Sequence, residues 1–598
     1  MRLLFFLFIL SMTIYPQQQN FPEWAKGIVW YQIFPERFAN GDESNDPTPD
    51  KVFINQTSIP EGWQITPWTS DWYNQQEWEK KLGGKFSNHL TSRRYGGDLQ
   101  GIFNNLDYLE NLGVKGIYLN PIFEAVSMHK YDGSTFHHID VNFGPDPIGD
   151  KWLISKEVPD DPTTWSWTSA DLLFLRLINE IHSRGMFIII DGVFNHTGVQ
   201  FWAFQDIVAN GINSQYKNWF LIKDFDNPQT EKNEFDYKGW WNHKSLPEFN
   251  RTEDNLIDPV KRYIFDATRR WMDPIGNGKY QKGIDGWRLD VARDVPLGFW
   301  REWSKYVKSI NPNALIVGEL WEVSPDFISE NGVFDALMNY PFAYPVINLF
   351  IDKKNQISIS EFVQLLQKVD KNYPEENLHL LQNLLSSHDT ERLTSMIVNP
   401  DRQYDRDSDE RNSEYNPGKP KPEDYEIQKL IAAFQMTYRG APMIFYGDEV
   451  GMWGPDDPHC RKPMIWDNLS YEAETITASS GFSKGLGTYE VEVNDELLDF
   501  YKKMIKLRNE NPELKTGEVE FFNIDDNKKL FAMKRFIPGA KELFIIAFNL
   551  GKQEHSVSFS NPGEAKYLLD IFNNDKLSIK GNSVTLVVPP LGFRIIKL

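Results

Sequence analysis

The chain has 598 residues, 41% of them hydrophobic and 14% aromatic, with a formal net charge of −21. That length exceeds one ordinary domain core, so two or three domains are expected. The acidic balance excludes an electrostatic grip on nucleic acid or on an anionic membrane and suits a soluble protein with a neutral substrate. A single cysteine, Cys460, excludes an intrachain disulfide. Without a Gly-rich loop followed by Lys-Ser/Thr, nucleotide phosphate chemistry is unsupported.

Residues 1–10, a basic start followed by an apolar run, read as a secretory signal ending near residue 20. The run is too short to span a bilayer and has no cysteine beside it for a lipid. Export to the periplasm or the medium, without a membrane anchor, is therefore expected. The folded part opens with a strand-like run over residues 27–38. Asn40, Asp42, Asn45 and Asp46 follow, with Gly41 between them. Closely spaced oxygen ligands in such a loop suit a hard cation such as calcium, and a polar turn explains them equally well. Asp98, in Tyr95-Gly96-Gly97-Asp98, would complete the shell. Residues 41–95 otherwise read as a loop inserted over one end of the domain.

A helix–strand rhythm then begins. Leu99 to Leu112 is helix-like, and Val114 to Leu119 is a strand running into Asn120. Asp171 to Arg184 has helical periodicity, and the apolar strand Met186 to Ile190 runs into Asp191 and His196. Residues 198–255 break the rhythm and read as a subdomain inserted after the third strand. A helix over Pro259 to Trp271 precedes the strand carrying Arg288 and Asp290. Strands are next expected at Ala314 to Val317, at Val333 to Tyr340, at Leu378 to Leu385 and at Ala441 to Phe445, with helices at Phe299 to Lys308, Ile359 to Val369 and Tyr425 to Thr437. Eight strands, most of them separated by helices, predict an α/β chain folded as a (β/α)8 TIM barrel over residues 24–510. Residues 511–598 carry short alternating segments and predict an all-β sandwich.

Barrel chemistry sits at the C-terminal strand ends, and six of these end in Asp, Glu, His or Asn. Arg288 and Asp290 are two apart, so in a strand both side chains lie on one face. An arginine there keeps a carboxylate ionised and hence nucleophilic. Alone, the pair would read as a structural salt bridge, but a ring of polar strand ends is not explained that way.

Four stretches then stand in order: Asp191-Gly-Val-Phe-Asn-His196, Gly286-Trp-Arg-Leu-Asp290, Gly318-Glu319-Leu-Trp321 and Ser387-His388-Asp389-Thr390. With Gly97-Asp98-Leu99-Gln100-Gly101-Ile102, His129-Lys130-Tyr131-Asp132 and Tyr446-Gly447-Asp448-Glu449, they make a chain that resembles the alpha-amylase family of glycoside hydrolases, nearest its neopullulanase and cyclomaltodextrinase branch. The resemblance implies Asp290 as nucleophile, Glu319 as general acid/base and Asp389 as a third carboxylate gripping sugar hydroxyls. It implies that Arg288 orients Asp290, that His196 and His388 bond the sugar, that Tyr131 stacks beneath it with Asp132 beside it, and that Asp191 holds Arg288. Asn40, Asp42, Asn45, Asp46, Gly96 and Asp98 match the branch's calcium loop. The implied activity is retaining, endo-type hydrolysis of alpha-1,4-glucosidic bonds in starch, maltooligosaccharides, pullulan or cyclodextrins, with alpha-glucan as the partner and no nucleic acid. A glucanotransferase on the same scaffold is the alternative, and a non-catalytic glucan-binding protein is the alternative of another class. Two departures stand out. The barrel begins near Trp24, without the β-rich domain that precedes it in the branch, so a monomer is expected. Val291-Ala292-Arg293-Asp294 replaces the branch's Val-Ala-Asn-Glu.

Overall fold

The computed structural model describes residues 21–598 except 228, 277, 279, 330–331, 561–566, 574 and 579–582. The signal-like residues 1–10, and the segment up to residue 20, lie outside the described residues. Eight parallel strands close into a barrel: β1 Trp30–Ile33, β2 Gly116–Leu119, β3 Phe187–Gly192, β4 Gly286–Leu289, β5 Leu315–Leu320, β6 Ala336–Asn339, β7 Gln382–Asn383 and β8 Ala441–Phe445. Closure pairs β1 with β8, Trp30 opposite Met443.

Period-2 alternation divides each strand between two cores. Trp30, Tyr118, Ile189, Val317 and Met338 point into the barrel. Tyr31, Ile117, Ile188, Trp287 and Ile316 point out to the helices. Near the barrel floor, Gly116 makes room for Trp30, since a Cβ there would lie 2.4 Å from the indole. Both faces of each strand are buried, which is why these runs read as almost wholly apolar.

Helices Ser169–Ser183, Asp258–Met272, Leu297–Ile310, Ile359–Asp370 and Pro422–Thr437 surround the sheet. The helix expected over 99–112 is broken at Asn105 into Leu99–Asn104 and Leu106–Leu112. The strand expected over 378–385 shrinks to two residues, because Pro374 starts a helical turn over Glu375–Leu378. Asn383 compensates through its side chain, which donates to Arg439 O and accepts from Asn339.

Beyond the helix Asp495–Glu510 come β9 Glu518–Asp525, β10 Leu530–Phe536, β11 Leu543–Asn549, β12 His555–Ser560, β13 Tyr567–Asp570, β14 Asp575–Ser578, β15 Ser583–Val588 and β16 Gly592–Lys597. Six of them form one sheet in the order β9-β10-β11-β16-β13-β14, and β12 and β15 form a second. Leu530, Ala532, Ile545 and Ile596 from the first sheet share one core with Val557, Leu586 and Val588 from the second, which makes a sandwich. The alternate residues Phe531, Met533, Phe544 and Phe548 join the barrel's helical core instead. Phe548 packs 5.7 Å from Phe434. The C-terminal sheet therefore braces the barrel through its second face. Strands β9, β14 and β16 were not expected, because β9 breaks its alternation at Phe521-Phe522, β14 is largely polar and β16 continues from the preceding apolar run with only a short turn between. No described helix is long and apolar enough to cross a membrane.

Candidate active site

The rim of the barrel gathers the predicted residues around one guanidinium. Arg288 is the last inward-facing residue of β4 and is fully buried. Its Nη1 lies 2.9 Å from Asp191 Oδ1, at the end of β3, and 3.0 Å from Asp290 Oδ1. Its Nη2 lies 3.0 Å from Glu319 Oε2 on β5. The same-face reading of Arg288 and Asp290 is thus realised as a direct contact. Neighbouring strands keep the ladder in step, with Asp191 opposite Arg288 and Leu289 opposite Gly318.

Asp389, from the loop after β7, stands across this cluster. Its Oδ2 lies 3.2 Å from His388 Nε2, and its Oδ1 lies 3.4 Å from Arg461. Arg461 is held in turn by Asp457 at 2.8 Å and by His388 O at 2.7 Å. Gln32 Nε2 donates to His388 Nδ1 at 2.8 Å, so His388 Nε2 carries the hydrogen toward Tyr131 and Asp389. Tyr131 lies almost parallel to the His388 ring and donates to Asp191 at 2.9 Å; Tyr118 donates to the same oxygen at 2.7 Å. His196 is buried with Nε2 lacking a partner, and its ring stacks 5.1 Å from Trp240.

Val291 sits at φ 39°, ψ 48°, a left-handed conformation that is costly for a β-branched residue. That turn aims its N–H at Glu319 Oε2, 2.8 Å away. Trp321 Nε1 holds the other Glu319 oxygen at 3.2 Å, while its ring stacks on Tyr340. Glu319 is thereby fixed from both ends.

Crowding of carboxylates in a buried site sets the electrostatics. Burial pushes Asp290 well above the ordinary carboxylate range, opposed by Arg288 and reinforced by Glu319. Burial, then Glu319, pushes Asp389 up to about 7. Burial and the two arginines push His388 far below its usual range, so it is neutral and acts as a hydrogen-bonding group. The sequence reading made Arg288 sufficient to keep Asp290 charged; burial, the larger influence, opposes it and raises the carboxyl instead. Such a cluster costs folding stability.

Asp389 shows this through its sign. Its folded pKa lies above its unfolded one, so its favourable contribution is present in acid and lost as pH rises through about 7. Asp389→Asn is therefore expected to raise Tm at pH 8 by roughly 1–3 °C and to lose that gain near pH 4. Thermal melts of both proteins across that range check it, and an equal or negative shift at pH 8 contradicts it.

Several of the expected residues already have protein partners. The Asp132 carboxylate accepts from Ser127 N–H at 3.2 Å and from the Ser127 hydroxyl, so it clamps its own loop beside Tyr131. Among 40–46, Asp42 is spent on Ser44, and Asp98 accepts from the N–H groups of Gly41, Asp42 and Gly101 and from the Asn45 amide. Both act first as turn and helix caps. Asn40 Oδ1 and Asn45 Oδ1 are buried without partners. Burial pushes Asp46 up to about 6. Gly96 packs against this group, since a Cβ there would fall 2.0 Å from Asp46 Oδ1. The orphaned oxygens and the desolvated carboxylate fit a hard divalent cation.

Sequence reasoning missed Tyr118 and Gln32, although each lies two residues after an inward-facing strand residue, which was the available signal. It also missed Arg461, Asp457 and the Val291 N–H, which lie in loops without periodicity. In the inserted subdomain, Phe249 is core, whereas Trp240 donates to Asp294 at 2.7 Å and Trp241 is 74% exposed. Arg293 pairs with Glu322 at 2.6 Å on the adjacent loop.

Residues 32–152 and 169–517 match the family described as "Alpha amylase, catalytic domain". The chain is 35% identical over 569 residues to Neopullulanase 2 of Thermoactinomyces vulgaris, covering 95% of this chain and 77% of that one. Among solved structures it resembles the ligand-free cyclic alpha-maltosyl-(1→6)-maltose hydrolase of Arthrobacter globiformis, at TM-score 0.67 and 26% identity, covering 96% and 99% of the two chains. It also resembles the type III pullulan hydrolase of Thermococcus kodakarensis, at TM-score 0.71 and 26% identity, covering 96% and 82%.

Proposed function

The chain belongs to the alpha-amylase family of glycoside hydrolases, and from that premise we propose that it hydrolyses alpha-1,4-glucosidic bonds within alpha-glucans, with retention of configuration. Maltooligosaccharides, starch, pullulan and cyclodextrins are the substrate class. The observation that carries this is one guanidinium shared by Asp290 and Glu319. Such sharing favours the short carboxyl separation of retaining enzymes, about 5–5.5 Å, over the roughly 6.5–9.5 Å that accommodates a water.

In this mechanism Glu319 protonates the glycosidic oxygen as Asp290 attacks the anomeric carbon. Glu319 then takes a proton from the water that releases the sugar. Positive charge developing on the ring meets the crowded carboxylates, so they act most strongly in the transition state. His196, His388 and Asp389 bond the sugar's hydroxyls, and Tyr131 offers its face.

Pullulan, amylose and beta-cyclodextrin time courses, resolved by product size and linkage, test the assignment. Panose from pullulan with opening of cyclodextrin supports a neopullulanase-like range. Amylose cleavage alone narrows it to alpha-amylase action, and no cleavage of any of the three overturns it. One observation favours a transferase component: the stacked Trp240–Trp241 platform beside His196 offers an exposed ring face to an acceptor sugar. Chains longer than the substrate, formed from maltotriose, would reveal it.

We further propose export, on the strength of residues 1–10, and calcium held by Asn40, Asn45 and Asp46 with the Gly96 backbone. Asp42 and Asp98 shape that loop. Calcium would supply charge neutralisation there and tie the loop to the helix at Leu99. Chelation is expected to lower Tm, with recovery on adding Ca2+; an unchanged melt and no bound calcium by elemental analysis would leave the residues a turn.

A further inference from the structure

A second group of ligand-type side chains lies outside the carboxylate ring. His137, His138 and Glu157 bring one ligand atom each within 4.8 Å of one another. Their side chains are 2%, 0% and 1% exposed, deep enough that charge there must be compensated. His137 and His138 follow Tyr131 in the loop after β2. Glu157 comes from the far end of that loop, beyond the helix Pro147–Ile154.

The outward-facing atoms of all three are already fixed. His138 Nδ1 lies 2.9 Å from Asp171 Oδ2, and Asp171 is held ionised against its burial by His138 and Arg270. Against burial, hydrogen bonds to Asp171 and Glu157 prevail and raise His138 above its usual range, so Nδ1 donates to Asp171 and Nε2 faces Glu157 Oε2, 2.8 Å away, with a proton between them. That proton is the one a metal would displace, seated to the side of the Nε2···Oε2 line, where it can reach both atoms and His137. The other Glu157 oxygen accepts from Ser166 N–H at 2.6 Å. His137 Nδ1 sits 2.7 Å from Thr135 Oγ1 and 2.9 Å from the Tyr263 hydroxyl, leaving Nε2 3.5 Å from the same Glu157 oxygen. Separations of 2.8 and 3.5 Å straddle the edge of about 3.3 Å expected for a tetrahedron with arms near 2.0 Å. Trp165 closes the group by stacking on His137 at 4.1 Å. Arg270 pairs with Asp171 at 2.9 Å and is the nearby positive charge that a metal must tolerate.

We propose that His137 Nε2, His138 Nε2 and Glu157 Oε2 form a zinc site that clips residues 157–166 to the loop bearing Tyr131. Two imidazoles and one carboxylate suit zinc over calcium. A hydrogen-bond partner behind each imidazole is what orients metal-binding histidines. Zinc takes the place of the proton between His138 and Glu157, which is released to solvent on binding.

The test uses the full chain, stripped of transition metal in calcium-containing buffer and then offered Zn2+ or Co2+. After removal of free metal, a single retained equivalent of zinc, a higher Tm and the intense visible bands of four-coordinate cobalt are expected. His137→Gln and His138→Gln should each lose all three. Two results overturn the site: a folded wild type that retains no zinc and gives only the weak spectrum of hydrated cobalt, or variants that retain the full equivalent. The first would leave a protonated His138 between two carboxylates. Should either variant fail to fold, the wild-type cobalt spectrum decides alone.

Discussion

Asp290→Asn is expected to lower kcat on maltotriose by about 10³-fold or more while the protein stays folded. The amide keeps the shape of the side chain and can still accept from Arg288, which also retains Asp191 and Glu319. The nucleophilic carboxylate is removed. Because burial pushes the Asp290 carboxyl well above its ordinary range, removing it also relieves a desolvated charge. Its folded pKa is the higher one, so any gain in Tm should grow with pH. Steady-state kinetics with parallel melts separate the two effects. A near-normal kcat would end the nucleophile assignment, and a collapsed melt would make the residue structural.

Glu319→Ala should cost about 10²–10⁴-fold on maltooligosaccharides, and the loss should depend on the leaving group. With alpha-maltosyl fluoride, which departs without a proton, the first step needs no acid, so the glycosyl-enzyme should accumulate as a burst. Azide, needing no base, should then restore turnover and give an alpha-configured glycosyl azide. The same experiment on Asp290→Ala should give the beta product, since azide would enter from the face that Asp290 vacates. Equal losses on both substrates without rescue would remove Glu319 from the acid/base role. A beta azide from Glu319→Ala would contradict retention.

The departure at 293–294 has a structural consequence. Asp294 anchors Trp240, whose ring stacks on His196, and Arg293 ties the nucleophile's loop to Glu322 beyond Glu319. Those two residues therefore fix an aromatic platform and bridge the loops after β4 and β5.

Much of this was legible in the chain because the signals are local. Period-2 apolar runs and 3.6-residue helices follow from backbone geometry alone, so the eight barrel strands and their order could be read, together with the shared face of Arg288 and Asp290. Asp290, Glu319 and Asp389 lay among the polar strand ends that the rhythm exposed, and the resemblance to the alpha-amylase family singled them out. Closure of the sheet decided the rest. It brought Gln32 of β1 against His388 after β7, set Tyr118 and Tyr131 on one Asp191 oxygen, and placed Arg461 behind Asp389. Competition among neighbours turned Asp132 to Ser127 and Asp98 to four N–H donors, and no spacing rule records such competition. His137, His138 and Glu157 met only because the loop after β2 folds back on itself. The balance of burial against Arg288 at Asp290 was likewise set by the whole cluster, since desolvation depends on everything packed around a charge and not on its partner alone.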